Sequence, residues 1–185
     1  MAIIVGEHPF DFFLQALAEA LSAEHVSVTP ATHVYLAQVL VRHINPRWHP
    51  SETLGDRVAK ALGGGLTPAQ RRQAFQELGD MILVCTGLYP EYGLWMARGI
   101  HVKYQIQIGR GAYARLGQEP YQEIADKFHR LVGALIYFGT EHSLATARDV
   151  VRLYELWHQT HSNQIARILA SQDIQVGETE PHTPS

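Results

Sequence analysis

The chain has 185 residues, 46% of them apolar and 18% charged, so it holds ample material for a core, and whole-chain disorder is excluded. A formal charge of −3 excludes a nucleic-acid binder built on a general basic surface and a polybasic membrane anchor. The single cysteine, Cys85, excludes an internal disulfide and any multi-cysteine zinc or iron–sulfur centre, whereas eleven histidines are an unusual number.

Near the amino terminus, Ala2-Ile3-Ile4-Val5 is too short for a signal-peptide core and no lysine or arginine precedes Arg42, so a cytoplasmic location is expected. No apolar stretch approaches the roughly 20 residues of a membrane span, and no membrane partner is expected. Residues 8–23 place Phe10, Phe13, Leu14, Leu17 and Leu21 on one helical stripe. Thr29-Pro30 then reads as an N-cap followed by proline at the first helical position. The helix it opens runs to about Ile44 and is apolar nearly all round, which predicts a central position. Asn45-Pro46 stops it, and Pro50-Ser51 opens a shorter helix ending at Gly63-Gly64-Gly65. Thr67-Pro68-Ala69-Gln70 is a capping box with proline at N1, so a further helix starts there, with Phe75, Leu78, Ile82 and Cys85 on its buried face. Tyr89-Pro90-Glu91-Tyr92-Gly93 ends it in a turn.

Residues 100–116 fit two periods. Ile100, Val102, Tyr104, Ile106 and Ile108 alternate as in a strand, whereas Val102, Ile106, Gly109, Tyr113 and Leu116 follow helical spacing. A lone strand would leave its hydrogen-bonding edges unpaired, so a helix is expected. Two long helices close the chain. In the first, Tyr121, Ile124, Phe128, Leu131, Leu135 and Phe138 share a stripe; in the second, over 143–170, Leu144, Ala147, Val151, Tyr154, His158, His161, Ile165 and Ile168 do so. Together these segments predict an all-α fold, an irregular bundle of about seven helices, with residues 1–176 as a single domain and 177–185 as a disordered tail.

Four features bear on chemistry. His158 and His161 occupy the apolar stripe of the last helix, with Glu155 one turn earlier, a spacing shared with the Glu-x-x-His elements of di-iron bundles. Asp126-x-x-His129 would have to supply the second such element, and its residues lie off the strongest apolar stripe. The expected state is a pair of partly buried histidines, without metal, satisfied by hydrogen bonds within the fold or facing a partner subunit. Asp80 follows Gly79 inside a helix and precedes Met81-Ile82-Leu83-Val84; a buried acid there must pair with a cation or cap a helix, and Arg72, Arg98 and Arg110 are the candidates. Asp80 and Arg110 are therefore expected as buried polar residues, and Gly79 suggests close approach by a neighbouring helix. Gly109-Arg110-Gly111-Ala112-Tyr113-Ala114 lacks the spacings of a phosphate loop and reads as small residues for tight helix packing. Arg71-Arg72 reads as a solvated pair at the start of its helix.

Leu78-Gly79-Asp80, Thr86-Gly87-Leu88-Tyr89-Pro90-Glu91, Gly109-Arg110-Gly111-Ala112-Tyr113 and Arg152-Leu153-Tyr154-Glu155-Leu156-Trp157 together resemble an uncharacterised group of bacterial all-helical proteins, over about residues 70–170. The resemblance implies a helix at 100–116 and brings no activity.

The function these features point to is non-enzymatic: a cytoplasmic helical binding protein for a protein partner, a second copy of itself or a small apolar ligand. A twofold homodimer is the expected assembly, since several helices carry wide apolar faces. Tyr89, Tyr92 and Trp95, beside the turn, are the interface candidates. No cofactor is expected. The alternative is a metal- or haem-binding enzyme, with iron, zinc or haem held by His158, His161 and Glu155 together with His129 or Asp80.

Overall fold

Every capped segment becomes a helix. The computed structural model describes residues 9–43, 52–89, 100–141 and 150–171, and among these it contains eight helices and no strand. They are α1 (Pro9–Ala23), α2 (Pro30–His43), α3 (Leu54–Leu62), α4 (Pro68–Gly87), α5 (Val102–Ala114), α6 (Tyr121–Glu141), α7 (Val150–Thr160) and α8 (Asn163–Ala170). The all-α bundle is thus the observed architecture. Residues 177–185 lie outside the described part.

Local chemistry accounts for the boundaries. Thr67 caps α4 through a complete capping box with Gln70, with Pro68 at the first position. Thr53 does the same for α3 with Asp56, so that helix begins at Leu54 rather than at Pro50-Ser51; reciprocal side-chain bonds to otherwise orphaned amides outweigh the earlier proline signal. Thr29 caps α2, its Oγ1 accepting from the Thr32 amide. Residues 102–114 are helical, and Val102, Ile106, Gly109, Tyr113 and Leu116 are all buried.

The centre of the bundle is α4, not α2. From Leu78 to Leu88 every residue of the chain is buried, because α5, α6 and α3 all pack against α4 and α2 approaches it too. Helix α2 lies at the periphery against α1. Leu36 and Leu40 are covered, but Val34 and Val41 are each 40% exposed. An all-apolar helix can end at an edge when its neighbours cover only part of its circumference.

Residues 143–149 of the expected helix over 143–170 lie outside the described residues, and from Val150 onward the expected helix is two helices. The His161 amide bonds back to the Trp157 carbonyl, His161 takes a left-handed φ of 50°, and Ser162 caps α8 through the Ile165 amide. Glu24, just past α1, holds this second start: its Oε1 accepts from Ser162 Oγ at 2.9 Å and from the Gln164 amide at 3.2 Å. A carboxylate at a helix N-terminus opposes the positive end of the helix dipole.

Candidate functional site

Asp80 sits mid-helix in α4 at 2% exposure. Its Oδ1 accepts hydrogen bonds from the Tyr35 hydroxyl of α2 at 2.5 Å and from the Tyr113 hydroxyl of α5 at 2.6 Å. On the other side, Arg42 Nη2 lies 3.3 Å from Oδ2. Burial pushes the Asp80 carboxyl above the usual carboxylate range, while hydrogen bonds from Tyr113 and Tyr35 and the charges of Arg42 and His43 oppose that rise. Burial and the adjacent carboxylate also hold both phenols well above the usual tyrosine range, so they remain donors. Burial lowers His43 below the usual imidazole range.

Spacing explains which side chains converge. Tyr35 and Arg42 are two turns apart on α2 and face the same way. Gly79 lets Tyr113 in: a Cβ there would meet the Tyr113 ring at 2.9 Å, so the phenol packs directly against α4 at Gly79, next to Asp80. Tyr121 completes the aromatic shell, edge-on to Tyr35 at 5.1 Å and stacked on Tyr113 at 6.1 Å.

The cation beside Asp80 is Arg42, in place of the expected Arg72 or Arg110; Arg98 lies outside the described residues. Arg72 precedes Asp80 by eight positions on the same helix, a displacement of about 12 Å along the axis. Its guanidinium instead lies over Tyr121 at 5.9 Å and donates to the Leu116 carbonyl at 3.0 Å. Arg110 is exposed, a correction to its expected burial. Gly109 is pressed into Phe128 and Ile82, where a Cβ would come within 2.4 Å and 2.9 Å, and the next residue on the helix therefore turns outward.

The histidine pair also departs from expectation. His158 and His161 are both exposed, because the inward line of α7 is Leu153, Leu156 and Thr160, one register away from the expected stripe. Their rings lie 6.4 Å apart, with Trp157 edge-on to His161 at 5.5 Å. His129 on α6 is exposed as well, and partial burial together with Arg130, Arg110 and His161 lowers its imidazole below the usual range. The Glu155 side chain lies outside the described part. Among the described residues, no three His, Cys, Asp or Glu side chains gather as a metal-holding set. Asp80 is engaged instead by the Tyr35 and Tyr113 phenols and the Arg42 guanidinium. Of the interface candidates, Tyr89 is half-buried against the core, and Tyr92 and Trp95 lie outside the described residues.

One feature with functional geometry was not anticipated. Between the start of α4 and the end of α5 lies an open cleft of about 460 Å³ lined by Leu66, Pro68, Phe75, Arg71, Arg72 and Arg115. Arg115 stacks over Phe75 at 5.3 Å and donates to the Gly111 carbonyl at 3.0 Å. Adjacent Arg71-Arg72 was the visible signal; the third guanidinium, 43 positions beyond Arg72, arrives only through packing of α5 on α4.

Comparison of the chain with protein-family models, with curated proteins and with solved structures finds no match.

Proposed function

We propose that this chain is a non-enzymatic helical binding protein acting in the cytoplasm. The observation that supports this reading is the division of labour between its two polar features. The buried Asp80 carboxylate is engaged from within the core by two phenols and from the surface by the exposed Arg42 guanidinium, as a structural cross-link of α2, α4 and α5. The accessible cleft is lined by apolar groups and guanidiniums, which bind and orient but do not serve as general base or nucleophile at neutral pH. The buried thiol of Cys85 fits a reducing compartment. Among the described residues no helix is long and apolar enough to cross a membrane. We carry the resemblance to the bacterial helical group into this proposal: two of its segments, around Asp80 and Gly109–Tyr113, meet where α4 packs on α5.

The test is a thermal-stability panel of neutral, cationic and anionic small molecules on the full chain, with the added compound recovered and weighed by mass spectrometry. A ligand that binds only the folded state raises its stability by RT ln(1 + [L]/Kd). The expected outcome is stabilisation by at least one class, with the compound recovered unchanged. Chemical conversion of the compound, or no stabilisation by any class, would overturn the reading.

Self-association is a second form of the same proposal. It is supported by Val34 and Val41, two turns apart on the outer side of α2 and each 40% exposed.

A further inference from the structure

Among the described residues, Arg71, Arg72 and Arg115 form no ion pair, although they line one cleft and the chain as a whole is acidic at −3. Three like charges in one concavity repel one another unless an anion lies between them. Their position adds to the imbalance. They gather near the positive end of the α4 dipole, and the first turn of α4 has no acidic residue. The Gln70 side chain is committed to its capping box, so the guanidiniums rather than that side chain face an incoming group.

Two of the three are already held in place. Arg72 is tied to the Leu116 carbonyl and lies over Tyr121; Arg115 is tied to the Gly111 carbonyl and lies over Phe75. Each bond uses one of five guanidinium donors and leaves the rest for a ligand. Arginine forks match the two-oxygen edge of a carboxylate or phosphate, and anchored side chains lose less freedom on binding. The volume, about 460 Å³, is in the range of small-molecule sites and larger than a bare anion needs. The other walls are apolar: Leu66, Pro68 and Phe75.

We propose that this cleft binds a small amphipathic oxyanion, a phosphate monoester or carboxylate bearing an apolar body. The head lies on Arg71, Arg72 and Arg115, and the body lies against Leu66, Pro68 and Phe75. This assignment rests on the reading of the chain as a binding protein and names the ligand class.

Four probes test it by backbone-amide NMR on the full chain: phenyl phosphate, benzoate, benzyl alcohol and inorganic phosphate. Phenyl phosphate is expected to shift amides over 66–75 and 111–116 saturably, benzoate the same amides more weakly, and inorganic phosphate more weakly than phenyl phosphate. A stronger response to phenyl phosphate than to benzoate assigns a phosphate ester; the reverse assigns a carboxylate, and either supports the class. Arg71→Gln removes a side chain that makes no hydrogen bond or ion pair among the described residues, and should weaken phenyl phosphate binding about tenfold while leaving the remaining spectrum in place. If benzyl alcohol binds as well as phenyl phosphate, or Arg71→Gln leaves its binding unchanged, the oxyanion assignment is overturned while the binding reading survives. If none of the four shifts the cleft amides, the cleft is overturned as a site, and the wider stability panel alone decides the binding reading.

Discussion

At the residue scale, Asp80 is the side chain on which most depends. Asp80→Ala leaves the buried hydroxyls of Tyr35 and Tyr113 without their acceptor, at about 1–3 kcal/mol for each buried donor, while Arg42 is exposed and regains water, so the change should cost about 3–5 kcal/mol in urea unfolding. Asp80→Asn keeps an acceptor for the phenols and should cost less. A near-neutral Asp80→Ala would show that Tyr35, Tyr113 and Arg42 do not depend on it. Glu123 supplies a pH-dependent counterpart at the surface. It accepts from the Thr29 amide and hydroxyl at the start of α2 and pairs with Lys127 at 2.7 Å. Burial works to raise its carboxyl, but bonds from Lys127, Thr32 and Thr29 prevail and lower it from 4.5 to about 2. A folded value below the unfolded one means the unfolded chain binds the proton more readily. Glu123 therefore contributes its full stabilisation above pH 4.5 and loses it as the pH falls through about 2. Unfolding followed across this window should have a smaller acid slope in Glu123→Gln than in the parent chain; equal slopes would remove Glu123 from the acid response.

At the element scale, helix contacts rest on particular small residues and on one break. Gly109 allows α5 to approach Phe128 of α6 and Ile82 of α4, so Gly109→Ala must displace both and should destabilise by about 1–3 kcal/mol, despite the better helix propensity of alanine. Unchanged stability would mean that Phe128 has another rotamer open to it. The junction of α7 and α8 should respond in the opposite direction. His161 adopts a left-handed φ of 50°, a conformation that glycine takes without the steric cost of a Cβ. His161→Gly should raise stability by up to about 1 kcal/mol, read as an increase in Tm. A loss would show that its contact with Trp157 outweighs the backbone strain.

At the scale of the whole molecule, most of the apolar surface that prompted the expectation of a dimer is used within the chain: α4, α5 and α6 cover one another. Among the described residues, what remains outward is scattered, with Val34 and Val41 on α2, Ile100 and Tyr104 at the start of α5, and Leu62 and Tyr154 elsewhere. Scattered apolar residues are common on monomers, whereas a dimer needs them joined in one patch. The proposed twofold assembly accordingly centres on α2. Light scattering at micromolar concentration should give twice the 20.7 kDa chain mass, and Val41→Glu should return it to one chain mass. A parent chain already at 20.7 kDa would end the proposal of self-association and leave the cleft untouched.

The helices and several of their ends can be read from the chain alone, because they obey rules that act over a few residues. Thr67 and Gln70 satisfy orphan amides three positions apart, Pro30 and Pro68 fit a first turn without donating a hydrogen, and the spacing from Val102 to Leu116 outlines one buried face. Burial of Asp80 could likewise be inferred from its apolar neighbours. Which groups meet at Asp80 depends on packing between helices distant in the chain. Tyr35 and Tyr113 lie 45 and 33 positions from Asp80, and their convergence depends on how α2 and α5 cross α4. The same holds for Arg115 beside Arg71 and Arg72. The break at His161 is another such case. No proline or glycine marks it, and an apolar stripe can be drawn straight across it. The ring of partners that fixes the break includes Glu24, 138 positions from Ser162. Local periodicity reports which residues could share a face; which face is inward is settled by the neighbours that arrive to cover it.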